Sequence, residues 1–303
     1  SELRLGYENT FDTDVGVKTA SFSHGFTTGK LRTLLTASWE QSGELMLRER
    51  AFTASFDRRP YGGLDFRNAN IPGGAGRVSR TGTVPLPGLA VTSTAIPAGT
   101  TGVNLTVTDY ANAGAIADPF DAGAYSQFAA AYERTSFLAK FDYAFRDWLE
   151  LYASARYAKN RNYQLNTPIQ ASNLSIPVGY PGNPFGIAVS LNKTFTDLIP
   201  TRLSADETKA FTVGATGRLA HDWRYDASVS LADSRTQSEG DAGTTITAAL
   251  FTAAVTAGPA PNLFYDGTRV ASPNAPGTVE ALTTIARDEE KDQTWTYAFQ
   301  VDG

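Results

Sequence analysis

Cysteine is absent from all 303 residues, and histidine occurs only as His24 and His221. The first absence excludes disulfides, thiolate metal sites and cysteine nucleophiles together, and suits a cytosolic or a bacterial envelope protein equally. The two histidines, far apart in the chain, exclude a zinc site of the His-Glu-x-x-His type. Charge is also scarce, at 19% of residues against the usual quarter or so. With a net charge of −5 and a pI near 5.2, no Lys/Arg stripe is left to neutralise phosphates, which sets a nucleic-acid partner aside. No basic segment followed by an apolar run opens the chain, and no stretch approaches the ~18 apolar residues of a spanning helix. The weakly apolar run from Thr247 to Ala257 is shorter and predicts a helix within a loop.

What the chain does contain is an aromatic fraction of 11% and 27 glycines, a mixture that favours β-structure with many turns. The clearest segment runs from Thr135 to Tyr157. Phe137, Ala139, Phe141, Tyr143 and Phe145 alternate with polar residues, the pair Arg146-Asp147 is read as a two-residue turn, and Leu149, Leu151, Ala153, Ala155 and Tyr157 resume the alternation. A period of two gives each strand one apolar and one polar face. The same period predicts strands near 3–11, 17–26, 31–44, 208–219 and 223–233, with a last one carrying Trp295, Tyr297, Phe299 and Val301. Because Ser1-Glu2-Leu3 already lies within an alternating pattern, the strand is expected to begin upstream.

The connections are unequal. Thr27 to Lys30, Arg146-Asp147 and His221-Asp222 are tight, whereas the segments at about 45–125, 164–200 and 239–290 are long and rich in Gly, Pro, Asn, Ala and Thr. Counting strand directions puts the tight turns at one end and the long loops at the other. Loops of this length are uncommon in compact soluble domains, and the asymmetry is that of outer-membrane barrels. Two tight turns share Asp-Trp, so Trp148 and Trp223, with Tyr143, Phe145 and Tyr225, are expected to form an aromatic girdle at one membrane interface. A tilted ten-residue strand rises about 23 Å, close to the ~25 Å apolar band of such barrels.

Motifs for chemistry are weak. Gly25 to Lys30 has too few residues between its glycines for a phosphate loop, and Leu31 stands where Ser or Thr would meet Mg²⁺. Pro72-Gly73-Gly74-Ala75-Gly76 does not fit a dinucleotide fingerprint, and Asp12-Thr13-Asp14 lacks the rest of a calcium loop. No Gly-x-Ser-x-Gly elbow or assignable carboxylate dyad supports an enzyme. No catalytic, cofactor-binding or metal-ligating residue is therefore expected, and the substrate-binding residues stay unassigned. Lys140, Asp142, Glu150, Arg156, Arg218, Arg224 and Asp226 fall between the apolar positions and are expected to face a wet interior. The mixed cluster Arg287 to Asp292 reads as a solvated strand end or an outer patch that touches ligand or lipopolysaccharide.

Several segments resemble barrel strands of TonB-dependent outer-membrane receptors. They are Glu133-Arg134-Thr135 through Asp147-Trp148-Leu149-Glu150-Leu151 to Asn162, the loop Asn183-Pro184-Phe185-Gly186, Asp222-Trp223 through Gly240, and Arg287-Asp288-Glu289 through Tyr297. The resemblance covers most of the chain except about 71–124, as a pattern of hairpins rather than one signature. It implies an all-β fold, an antiparallel up-and-down transmembrane barrel segment of about seven or eight strands with long extracellular loops and short periplasmic turns. The implied function is uptake of a scarce, bulky nutrient such as a siderophore, cobalamin or an oligosaccharide at the bacterial outer membrane, energised by the TonB-ExbB-ExbD system. The implied surroundings are outer-membrane lipid and lipopolysaccharide, and the implied state is a monomer. The plug domain, the TonB box and the terminal aromatic strand of such receptors are not in this sequence, so the expectation is an internal barrel segment.

Two other readings fit the alternation. One is a passive porin-like barrel; the other is a soluble secreted β-sandwich that binds carbohydrate or protein. The burial of Phe137, Phe141, Tyr143, Leu151, Phe211, Val213, Tyr297 and Phe299 separates sandwich from barrel, because a sandwich buries them all and a barrel leaves one exposed band.

Overall fold

The computed structural model describes residues 1–10, 13, 15–72, 76–114, 119–219, 223–240 and 242–303, without the side chains of 68–72. Strand accounts for 53% of the chain against two helices, so the protein is all-β. Eight long strands form one antiparallel sheet: β1 (Glu2–Asn9), β2 (Gly16–Thr28), β3 (Leu31–Ser42), β4 (Ala131–Arg146), β5 (Leu149–Leu165), β6 (Thr201–Arg218), β7 (Arg224–Gly240) and β8 (Arg287–Asp302). Their order in the sheet is their order in the chain. Each strand pairs with its predecessor, leaving β1 and β8 at the two edges.

The strands are longer than their apolar runs. β6 extends back to Thr201 and β7 on to Gly240, because the ladder continues through polar residues where the apolar alternation has stopped. The β4–β5 reversal is displaced by one residue from the expected pair. Arg146 pairs with Leu149, so Asp147-Trp148 makes the turn, and an irregularity between Ala144 and Arg146 absorbs the shift. At the β2–β3 turn Thr28 pairs with Leu31 across Gly29-Lys30, and Gly29 adopts φ +55°, a conformation that costs glycine least. The proposed turn at His221-Asp222, Phe11 of the first strand, Asp12 and Asp14, and Gly73 to Ala75 lie outside the described residues.

Tight reversals occupy one end of the sheet and the three long connections the other, as the strand directions require. These connections are not featureless. Strands Ile169–Ile176, Val189–Phe195, Arg77–Ser79 and Ser93–Ala95 make a second, four-stranded sheet from two of them. Helix α1 (Val107–Ala113) is capped by Thr106, which accepts from the Asp109 N–H, while the Asp109 carboxylate accepts from the Thr106 N–H at 2.8 Å. Helix α2 (Ala248–Ala257) occupies the run expected to be a loop helix.

All three connections contribute to one hydrophobic core. Ile96 and Tyr110 come from the first, Ile176 and Phe195 from the second, and Phe251 and Phe264 from the third. Nearly all of the chain's fully buried large side chains sit in this cap rather than in the long sheet. Burial of such residues stabilises by ~1.5–3 kcal/mol each, so the cap holds itself together.

Candidate functional site

The registers place most of the apolar residues of the eight strands on one face. Phe22, Ala37, Phe137 and Tyr157 lie side by side, and Leu3 extends the row on β1. Below it run Leu35, Ala139, Ala155, Phe211, Leu231 and Trp295, then Thr33, Phe141, Ala153, Val213, Val229 and Tyr297. Seven strand spacings of ~4.8 Å make this band about 34 Å wide, and a contiguous exposed apolar face of that kind marks an interaction surface. Among the described residues nothing covers it. The eight discriminating side chains are 40% (Phe141) to 74% (Tyr297) exposed. They are not the shared core of two stacked sheets.

The five expected girdle residues gather at the tight-turn end. Trp148, Trp223, Tyr143 and Phe145 are exposed there, and Tyr225 is half-buried. The Tyr143 and Phe145 ring centres lie 6.5 Å apart, and the Arg146 guanidinium stands 5.6 Å over the Phe145 ring. Gly217 is required at this corner, since a methyl group there would collide with the Trp148 carbonyl and lie 2.8 Å from the Tyr225 hydroxyl. At the other boundary the apolar band gives way to Lys159, Glu207, Arg235 and Lys291 in one cross-strand row.

The opposite face is mostly polar, with Val17, Leu34 and Leu138 as apolar exceptions. Lys140, Asp142, Glu150, Arg156, Arg218, Arg224 and Asp226 all fall on it, brought to one surface but spread over four strands rather than gathered into a site. Glu150 pairs with Arg32 at 2.5 Å, and Lys140 with Asp142 at 3.6 Å. The Tyr152 ring lies across Gly214, where any side chain would clash, and its hydroxyl donates to Asp226 at 2.7 Å. Hydroxyl pairs such as Ser38–Ser136 at 2.7 Å and Thr212–Ser230 at 2.8 Å bridge neighbouring strands. Among the described residues no cluster of three His, Asp or Glu is arranged to hold a metal ion.

Within the cap, Lys193 is buried, and its ammonium donates to the carbonyls of Leu263 (3.0 Å) and Tyr265. The rings of Phe195 and Tyr265 flank it at 4.5 and 3.8 Å. The Tyr265 hydroxyl donates to Asp197 at 2.9 Å. Burial pushes Lys193 down to about 7, against the pull of Asp197 and Asp266. Burial also pushes the Asp266 carboxyl up, but hydrogen bonds from Gly99, Thr268 and Arg269 outweigh it and hold Asp266 below the usual carboxylate range.

The lysine shift has a sign that can be checked. Between about pH 7 and its ordinary value near 10.5, an unfolded cap binds one more proton than a folded one. Stability should therefore rise with pH, by about 1.4 kcal/mol per unit at most. Thermal melts of the cap followed from pH 7 to 9.5 should show this rise in the native protein and lose it in Lys193→Met; parallel pH profiles for the two would contradict the assignment.

A second polar cluster escaped sequence reasoning. In the first connection the two Asp-x-Arg segments Asp57-Arg58-Arg59 and Asp65-Phe66-Arg67 come together as a four-membered ion-pair lattice. Arg59 holds Asp57 in a fork at 2.8 and 2.6 Å, Arg67 holds Asp65 likewise at 3.0 and 2.9 Å, and Arg59–Asp65 (3.3 Å) and Arg67–Asp57 (3.5 Å) cross-link them. The Arg59 hydrogen bond draws the Asp57 carboxyl down to about 2. The repeated Asp-x-Arg spacing was the available signal, but only the isolated Asp57–Asp65 bridge makes the two copies neighbours.

No protein-family model matches the chain, and no curated protein sequence matches it.

Proposed function

We propose that the long sheet is part of the wall of an outer-membrane β-barrel, and that the protein belongs to an active transporter for a scarce, bulky nutrient. The observation that carries the membrane reading is the uncovered apolar band across eight strands, backed by a predominantly polar face. In lipid such a band costs nothing to expose, whereas in water it favours aggregation. The Trp148, Trp223, Tyr143, Phe145 and Tyr225 cluster then lies at the periplasmic interface, the cap lies outside the cell, and the polar face lines the lumen. Strand edges at β1 and β8 leave backbone groups unpaired, which a bilayer does not tolerate, so further strands are expected to close the wall.

The active-transport part rests on the resemblance of the strands and turns to TonB-dependent receptors. In that reading a plug and the TonB-ExbB-ExbD system supply the energy, lipid and lipopolysaccharide surround the wall, the protein is monomeric and it catalyses no reaction. A passive porin-like barrel is the second reading, favoured by the abundance of hydroxyl and charged groups on the polar face.

Fractionation of cells that make the protein tests the proposal. It should stay in the outer-membrane fraction through a urea wash, and a form of it that carries a plug and TonB box should cross-link to TonB. Recovery in the soluble fraction would contradict the membrane assignment, and steady open conductance in a planar bilayer would favour the passive pore.

A further inference from the structure

We infer that the polar face carries a binding site for a neutral, polyhydroxylated ligand such as an oligosaccharide, in a concavity spanning β3 to β6 below the cap. The inference rests on the lumen assignment of that face. It adds the ligand class, for which the transport reading leaves three candidates.

Two successive cross-strand rows build the concavity. The upper one is Glu40, Arg134, Asn160 and Asp206, one residue from each of four adjacent strands. The lower one is Ser38, Ser136, Ala158 and Thr208. Ala158 has no reach, so the surface dips between the hydroxyls of Ser136 and Thr208, and the hollow measures about 430 Å³. Three strand spacings give it a width of ~14 Å, enough for more than a single small solute.

The groups at its rim are planar and held in place. Glu40 accepts from the Tyr132 hydroxyl at 2.6 Å and faces Arg134 at 3.6 Å, while the Arg134 guanidinium stacks 4.3 Å over the Tyr132 ring. Asp206 accepts from Thr236 at 3.0 Å. Asn160 Oδ1 is enclosed and meets no hydrogen-bond donor among the described residues. A carboxylate, an amide and a guanidinium set beside hydroxyls offer paired donors and acceptors, which match neighbouring hydroxyls of a sugar ring.

Charge narrows the ligand class. Within the concavity Glu40 and Asp206 face Arg134; Arg156 lies one row below on β5, and Glu290 and Asp292 lie two strands away along the same rows, so the charges nearest the hollow balance. A balanced lining offers no net attraction to an anionic chelate or an acidic glycan. The two rim carboxylates sit three strands apart and do not converge on a cation. A neutral polar ligand remains.

The test uses the whole protein in detergent with a panel of neutral oligosaccharides of glucose, mannose, galactose, xylose and N-acetylglucosamine. A ferric tris-hydroxamate and a ferric tris-catecholate serve as competing probes, and binding is read by saturation-transfer NMR and calorimetry. At least one neutral oligosaccharide should bind. Asn160→Ala, Asp206→Ala and Arg134→Ala should each weaken it tenfold or more, and Asp226→Asn, on the same face but outside the concavity, should leave it unchanged. All four should keep the native far-UV circular dichroism. The inference is overturned if no neutral saccharide binds, if the three rim variants bind like the native protein, or if a ferric chelate binds and depends on the same three residues. Saccharide failure in a protein that fractionates with the outer membrane removes the ligand class alone. Saccharide binding by a protein found in the soluble fraction removes the membrane reading alone.

Discussion

Val213→Arg is expected to destabilise the protein in a bilayer by ~2–4 kcal/mol, the cost of a cation on the lipid face near the midplane of a barrel. Val213 occupies the middle apolar row, between Ala153 on β5 and Val229 on β7, and is 42% exposed. A residue so open to solvent on a soluble protein would tolerate arginine within ~0.5 kcal/mol. The two environments therefore predict different results for one substitution. Thr212→Arg is the control, because its side chain points to the polar face beside Ser230 and has water to accept the charge. Urea unfolding in lipid vesicles, followed by tryptophan fluorescence, measures both. Equal and small effects at the two positions would contradict a lipid-facing band.

The second large effect concerns the cap. Phe264 is fully buried, its ring lies 5.8 Å from that of Tyr180, and Gly182, at φ +89°, comes so close that any side chain there would strike it. The backbone N–H of Phe264 is tied to Asn262 Oδ1 at 3.0 Å, so the ring has little freedom to follow a shrinking core. Phe264→Ala should cost about 3–5 kcal/mol within the cap. Because Phe264 comes from the third connection and Tyr180 from the second, that loss should release loops from one another without unpairing the long strands. Limited proteolysis should then cut within 76–114, 166–200 or 242–286 while the eight-stranded sheet stays intact. A digestion pattern like that of the native protein would show that the loops do not depend on a common core.

The long sheet was legible in the sequence because its information is local. Alternation over ten or more residues, as in Phe137 to Phe145, survives any tertiary context, and strand direction then follows from counting turns. The turn itself was displaced by one residue, since the irregularity at Ala144 to Arg146 depends on pairing with β5 that no local pattern records. The cap was not legible. Its strands Arg77–Ser79 and Ser93–Ala95 are three residues long, too short to display a period, and Gly and Pro break up the apolar runs between them. Lys193 has no local sign of its burial, because its carbonyl partners Leu263 and Tyr265 lie about seventy residues away. The polar concavity had the same fate. Glu40, Arg134, Asn160 and Asp206 are ordinary in isolation, and become neighbours only through the registers of four strands.

Site-directed spin labelling along β6 tests the central claim most directly. Labels at positions 210 to 213, 215 and 216, in protein reconstituted into vesicles, would be examined for collision with oxygen, which concentrates in lipid, and with a water-soluble nickel chelate. A lipid-facing band predicts a period of two: Phe211, Val213 and Ala215 reached by oxygen and shielded from nickel, with Ala210, Thr212 and Thr216 showing the reverse. Nickel access at Phe211, Val213 and Ala215 equal to that at their even-numbered neighbours would contradict it.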